Sequence, residues 1–146
     1  MSEGRRTLDE LLAEARSKIV RLTPAETEAA VEDGGLIVDI RSVDARDRDG
    51  IVPGSIHVPR TVLEWRLEPC GAWRNPHLGP DDRRLVVLCD HGYSSILAAA
   101  ILSDLGYVGA ADVIGGFEGW AAAGLPVVPA PPRDQGAELP GMGGPQ

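Results

Sequence analysis

Leu85-Val86-Val87-Leu88-Cys89-Asp90-His91-Gly92-Tyr93-Ser94-Ser95-Ile96 is the stretch on which the fold turns. Its four leading apolar residues are uninterrupted, the pattern of a strand covered on both faces in a parallel sheet. A cysteine follows at the strand's carboxyl edge, then a short loop with a central glycine. From Ser94 or Ser95 an alanine- and leucine-rich run continues to Leu105 and stops at Gly106, as a helix with a C′ glycine would. In open α/β sheets the crevice beyond the carboxyl ends of the strands is where ligands bind, so Cys89 stands where a ligand is expected. Successive loop N–H groups and the positive end of the following helix can surround its sulfur and any anion beside it. A thiol there is expected to have a depressed pKa and to react as the thiolate. Gly92 allows backbone angles that a side chain would forbid. Taken alone, Cys89 reads more readily as a small buried hydrophobe at a strand end; the strand, loop and helix around it reverse that balance in favour of the nucleophile.

Working outward, the apolar signature recurs at Leu36-Ile37-Val38-Asp39-Ile40 and at Asp112-Val113-Ile114, with a shorter strand-like run at Ile19-Val20-Arg21-Leu22. Thr7 and Glu10 have capping-box spacing ahead of Leu8, Leu11, Leu12, Ala15 and Ile19, which predicts an amphipathic N-terminal helix, an extension spanning residues 1–18. Thr23-Pro24-Ala25-Glu26 supplies an N-cap, a proline at N1 and a glutamate at N3, and predicts a second helix running to about Asp33, stopped by Gly34-Gly35. Strands alternating with helices predict an α/β domain with a parallel sheet. Residues 60–82, with three prolines and with Trp65 and Trp73, are expected to form a long surface connection with a short helix from about Val62 to Arg66. Residues 129–146 hold nine Pro or Gly in 18 positions and read as a disordered tail.

The whole chain of 146 residues suits one domain. Its 43% hydrophobic and 25% charged composition is that of a folded protein. The longest strictly apolar run, Ile96 to Leu102, has seven residues, against roughly 20 for a membrane span, and no basic, apolar-cored leader opens the sequence. Neither a membrane span nor export is expected, and the cytoplasm is the expected compartment. Two cysteines cannot build a disulfide framework. A net charge of −8 lacks the broad positive field that nucleic acid or an anionic membrane would need, so an anionic small substrate would require a local positive site.

Three separated motifs carry a family resemblance. Leu36-Ile37-Val38-Asp39-Ile40-Arg41 leads to Gly54-Ser55-Ile56-His57-Val58-Pro59, the Cys89 loop follows, and Gly115-Gly116-Phe117-Glu118-Gly119-Trp120 precedes Gly124-Leu125-Pro126-Val127. Over about residues 19–128 the sequence resembles the rhodanese-like sulfurtransferases. The resemblance implies a single domain, an open sheet of about five mainly parallel strands flanked by helices. It also implies a thiolate at Cys89 that takes a sulfane sulfur from a donor such as thiosulfate, becomes a persulfide, and hands the sulfur to cyanide, a thiol or a protein. Backbone donors of Asp90, His91, Gly92, Tyr93, Ser94 and Ser95 would hold the transferred sulfur and the departing sulfite oxygens. No metal or organic cofactor is called for; the implied partners are a small anionic sulfur donor and a sulfur-accepting protein, with no nucleic acid and no membrane.

Departures qualify the activity. Many thiosulfate-active relatives carry arginines at the second and sixth loop positions, where this chain has Asp90 and Ser94, although His91, Gly92, Ser94 and Ser95 match a Cys-x-His-Gly-x-Ser-Ser subset. Asp90 beside an anion site is expected to point to solvent. A phosphatase loop would need an arginine at position 95, which is serine. Arg41, Arg60 and Arg66 are candidates for a positive rim, Arg60 first, though each reads more readily as a solvated surface charge; Asp39 reads as a hydrogen-bonded anchor at a strand end, and Asp39 and Arg41 are expected to support the site. His91 and His57 could assist proton transfer or be structural. Cys70 could resolve a persulfide or be an incidental surface thiol, and Phe117 and Trp120 read as core or loop backing. Trp65 and Trp73 could line the mouth or pack the long connection. The alternative functions are a non-turnover module that binds a protein or carries persulfide, and a redox sensor that forms a Cys89–Cys70 disulfide.

Overall fold

The unbroken apolar runs form the middle of the sheet. In this computed structural model, which describes residues 4–132, β2 (Leu36–Asp39) and β4 (Leu85–Leu88) run parallel with Leu36 opposite Leu85 and Asp39 opposite Leu88, and every residue of both is buried. β5 (Ala111–Val113) pairs with the other side of β4, β1 (Val20–Leu22) with β5, and β3 (Ile56–His57) with β2. The sheet is therefore five-stranded and parallel throughout, in the order β1-β5-β4-β2-β3.

Helix starts follow the capping signals. α1 (Leu8–Lys18) opens at Thr7, whose hydroxyl accepts from the Glu10 N–H, and α2 (Pro24–Glu32) opens on a complete capping box between Thr23 and Glu26. Such a cap contributes about 1 kcal/mol. Three further helices run over α3 (Val43–Asp49), α5 (Ser94–Asp104) and α6 (Gly116–Ala122), and a 3-10 turn at Arg60–Val62 leads into the short α4 (Leu63–Leu67).

Strand alternation divides the core in two. Leu36, Val38, Leu85, Val87 and Cys89 face one side with Leu63, Leu67, Ala98 and Leu102, whereas Ile37, Val86, Leu88, Ala111 and Val113 face the other with Phe117 and Trp120. α1 does not stand apart: Ala15 packs against Ile96 and Ala100, with Leu12, Ile19 and Leu97 around them. The stretch expected to run over the surface is anchored instead, because Leu63, Leu67 and Leu78 are buried in the core and the Tyr107 hydroxyl donates to the Leu67 carbonyl at 2.5 Å. Most of the expected tail lies outside the described residues. Among the described residues no helix is long and apolar enough to cross a membrane.

Candidate active site

β4 is the point where the connections part, since β2 leads outward to β3 while β4 leads through α5 to β5 on its other side. Such a switch point opens a crevice at the carboxyl ends of the strands, and Cys89 is the first residue beyond β4. Its loop is held from outside by its carbonyls. The Phe117 N–H donates to the Cys89 carbonyl at 2.8 Å and the Glu118 N–H to that of Asp90 at 3.1 Å. Arg21 Nη2 donates to the Gly92 carbonyl at 2.9 Å, and the Ile96 N–H to that of Tyr93 at 3.1 Å. With these carbonyls tied, the N–H side of the loop turns toward the sulfur, and the Gly92 N–H donates to Cys89 Sγ at 3.1 Å.

Two glycines make that arrangement possible. Gly92 has φ +86, and a Cβ there would lie 2.7 Å from the Gly115 nitrogen. Gly116 has φ +59, and a Cβ there would lie 2.5 Å from the Cys89 carbonyl oxygen. The start of α6 can therefore touch the loop backbone and offer its orphan first-turn N–H groups to the loop carbonyls.

The electrostatics favour thiolate. Burial of Cys89 pushes its thiol up, but the Ser95 hydroxyl and N–H, the Ser94 hydroxyl and the Gly92 N–H outweigh it, and the net shift is downward from the ordinary thiol value. Behind this shell lies Asp112 of β5, fully buried, which accepts from the Ser95 hydroxyl at 2.7 Å and from Arg21 Nε and Nη2 at 2.9 and 3.1 Å. The Arg21 guanidinium is held more firmly protonated, first by its hydrogen bonds to Asp112, against burial, and further by the charges of Asp112 and Cys89. Sequence reading missed Arg21 and Asp112; their charge inside strand-like runs was the available signal.

The other expected site residues divide. Ser95 is fully buried against the sulfur, whereas Tyr93 is 74% exposed and Ser94 is exposed. His91 Nδ1 lies 2.6 Å from Glu118 Oε2 on the outer rim. Asp90 is half-buried, not simply turned to solvent, and lines an open cleft of about 630 Å³ with Arg48, Asp49, His91, Phe117 and Glu118. Arg60 is not brought to the Cys89 loop: its guanidinium pairs with Glu64 at 3.1 Å, and it lines a groove with Leu11 and Glu14 of α1 and Leu97 of α5. Arg41 is no rim charge either. Its side chain is fully buried, grips Asp39 through Nε at 3.1 Å and Nη2 at 2.8 Å, donates to the Gly50 carbonyl, and lies 3.9 Å over the Phe117 ring.

Asp39 is thus the centre of a buried clamp that also takes the Arg41 N–H at 3.0 Å and has Arg46 Nε 3.5 Å away. His57 stands beside it with Nε2 at 2.7 Å from the Arg41 carbonyl; burial, foremost, lowers its pKa. This pair fixes the end of β2 next to the loop. Arg66 donates to the Trp73 carbonyl. Cys70, Trp65 and Trp73 are exposed, while Phe117 and Trp120 are core residues, the Trp120 indole donating to the Pro126 carbonyl.

Comparison with known proteins agrees with this fold. A profile of the rhodanese-like domain matches residues 23–123. The thiosulfate sulfurtransferase GlpE of Pseudomonas syringae pv. syringae is 33% identical over 100 residues, 68% of this chain and 85% of that protein. GlpE of Haemophilus influenzae is 30% identical over 107 residues, 73% and 91% of the two chains. Among solved structures, a protein of unknown function from Rhodopseudomonas palustris, described as a possible tyrosine phosphatase, superposes with a TM-score of 0.76 at 35% identity, covering 88% of this chain and 99% of that one. A fold with a cysteine at the switch point, a loop tied by its carbonyls to a Gly-Gly helix start, and these relatives together establish that the chain belongs to the rhodanese-like domain family, a sulfurtransferase-type family.

Proposed function

We propose that the chain is a rhodanese-type thiosulfate sulfurtransferase that moves a sulfane sulfur to a thiophilic acceptor through a persulfide on Cys89. The observation that carries this is the loop itself, whose outward-tied carbonyls leave N–H groups converging on a buried sulfur of lowered pKa. In the first half-reaction the Cys89 thiolate attacks the outer sulfur of the donor. The donor's S–S bond breaks, sulfite leaves with the bonding pair, and a Cys89 persulfide anion remains. In the second, a nucleophile such as cyanide takes the outer sulfur and the Cys89 thiolate departs. A low thiol pKa makes it a good leaving group. N–H groups from Asp90 to Ser95 supply stabilisation where negative charge gathers, with no reorganisation at the moment of reaction.

Position 95 is serine, not the arginine that a phosphatase loop would use to grip phosphate, which weighs against the activity suggested for the Rhodopseudomonas palustris relative. A second reading has its own support. The cleft beside the loop carries Asp49, Asp90 and Glu118 against Arg48, itself paired with Asp49 at 2.9 Å, so a dianionic donor meets an acidic approach. That favours a module that receives sulfur from a less charged donor and carries it as persulfide for a protein partner. Steady-state thiocyanate formation from thiosulfate and cyanide separates the two: turnover abolished by Cys89→Ser supports the enzyme, and single loading without turnover supports the carrier.

A further inference from the structure

Three strands place Arg21, Asp112 and the Cys89 loop in line. Arg21 of β1 is in register with Asp112 of β5, which is in register with Val87 of β4, two residues before Cys89. Asp112 is fully buried, as is Ser95 in the first turn of α5. Ser95 has one hydroxyl proton and two neighbours that can accept it. One is Asp112 Oδ2, at 2.7 Å; the other is the Cys89 sulfur, on which both the hydroxyl and the N–H of Ser95 act. Arg21 reaches both ends of the arrangement, because Nη2 donates at once to Asp112 and to the carbonyl of Gly92, the residue whose N–H donates to the sulfur.

We infer that Arg21, Asp112 and Ser95 form a positioning relay in which the Ser95 hydroxyl donates to Cys89 while the sulfur is a thiolate and to Asp112 once the charge has moved to the outer sulfur of a persulfide. The inference rests on the sulfurtransferase reading of Cys89. A buried hydroxyl left without an acceptor costs stability, and so does a buried carboxylate left without a donor. Both costs are avoided: in the thiolate state Asp112 keeps its two bonds from Arg21, and in the persulfide state Ser95 keeps Asp112. The proton stays on the Ser95 oxygen throughout, and no covalent bond changes in the relay. Arg21 sets the balance, since without it Asp112 would depend on Ser95 and draw the hydroxyl away from the sulfur.

The relay makes opposite demands of two neighbouring substitutions. Arg21→Gln is expected to raise the Cys89 pKa by about one unit, a tenfold loss of thiolate at a pH below both values. Asp112→Asn, which removes the competing carboxylate, is expected to lower it. Arg21→Lys should recover part of the Arg21→Gln loss, and in a Ser95→Ala background the Asp112→Asn shift should fall to less than half. The assay is the pH dependence of iodoacetamide alkylation, followed at the Cys89-containing peptide by mass spectrometry in the full chain, so that Cys70 does not contribute. Shifts of the same sign in Arg21→Gln and Asp112→Asn, or no shift in Arg21→Gln, would overturn the relay and leave a structural ion pair. Arg21→Lys and Ser95→Ala carry the test if the buried Asp112 variant does not fold: no recovery by lysine, or an unmoved pKa in Ser95→Ala, overturns it too. Wild-type protein is loaded with thiosulfate in parallel. If Cys89 neither gains sulfur nor titrates below an ordinary thiol, the sulfurtransferase reading fails and takes the relay with it. If it does both while the variants show no such pattern, the relay alone fails.

Discussion

Replacing Gly116 by alanine tests how the loop is held. At φ +59 a Cβ would lie 2.5 Å from the Cys89 carbonyl oxygen, 2.7 Å from the Asp90 carbonyl carbon and 2.7 Å from the Gly92 nitrogen. All three are backbone atoms, so no side chain can rotate aside. Ordinary contacts need roughly 3.5 Å, hence the loop or the start of α6 must retreat by about 1 Å. The left-handed conformation costs alanine about 1–2 kcal/mol and the forced repacking about 1–3 kcal/mol more. Gly124 supplies the control, because its φ is +75 but nothing lies within 4 Å of a Cβ built there. At about 3 °C per kcal/mol for a chain of this size, Gly124→Ala is expected to lower Tm by about 3–6 °C and Gly116→Ala by about 6–15 °C. Below both transitions, Gly116→Ala should also slow alkylation of Cys89 at neutral pH. Its retreat stretches the 2.8 Å Phe117-to-Cys89 bond and the 3.1 Å Gly92-to-sulfur bond. Gly124→Ala should leave alkylation unchanged. Equal Tm losses, or Cys89 reactivity unmoved by Gly116→Ala, would refute the steric argument.

Arg41→Ala strips the fully buried Asp39 of its bidentate guanidinium and leaves it the residue-41 N–H at 3.0 Å and Arg46 at 3.5 Å; it is expected to cost about 3–5 kcal/mol in urea unfolding, and a loss under about 1 kcal/mol would contradict the clamp. Asp90→Arg replaces an acidic lining residue of the cleft beside the loop and is expected to lower KM for thiosulfate several-fold with little change in kcat; an unchanged KM would mean that the donor does not pass Asp90. Burial holds the His57 pKa below its unfolded value, near 6.5. The unfolded chain therefore binds the extra proton first, and stability should be level above about pH 6.5 and fall as pH drops from there toward the lowered folded value. His57→Gln should flatten that part of a stability-against-pH curve, and an unchanged slope would assign it to other groups.

What was legible in the sequence had a local cause. β2 and β4 announce themselves through unbroken apolar runs, and α1 and α2 through Thr7 and Thr23, each of which caps its helix in the structure. β3 has two residues, too few for any periodicity. α3 reads Val-Asp-Ala-Arg-Asp-Arg-Asp and buries only Ala45 and Arg46, so it shows no apolar stripe. The four-residue spacing of Leu63 and Leu67 was a signal that the prolines around it obscured, and these leucines pin the long connection to the core. At the site, Cys89 and its loop could be read because strand, glycine and helix start are contiguous. The Arg21–Asp112 pair spans 91 positions and joins two charges from separate strands, which only the strand order brings together. Arg41 lies two residues beyond Asp39, and no local pattern tells a guanidinium folded back onto that carboxylate from one turned to the rim or to solvent.

The most direct test of the central claim is the intact mass of the reduced protein after exposure to thiosulfate, beside Cys89→Ser, before and after cyanide. Wild-type chain is expected to gain the mass of one sulfur and lose it to cyanide as thiocyanate, while Cys89→Ser gains none. A wild-type chain that stays at its reduced mass, or a Cys89→Ser chain that still acquires cyanide-labile sulfur, would contradict a persulfide on Cys89.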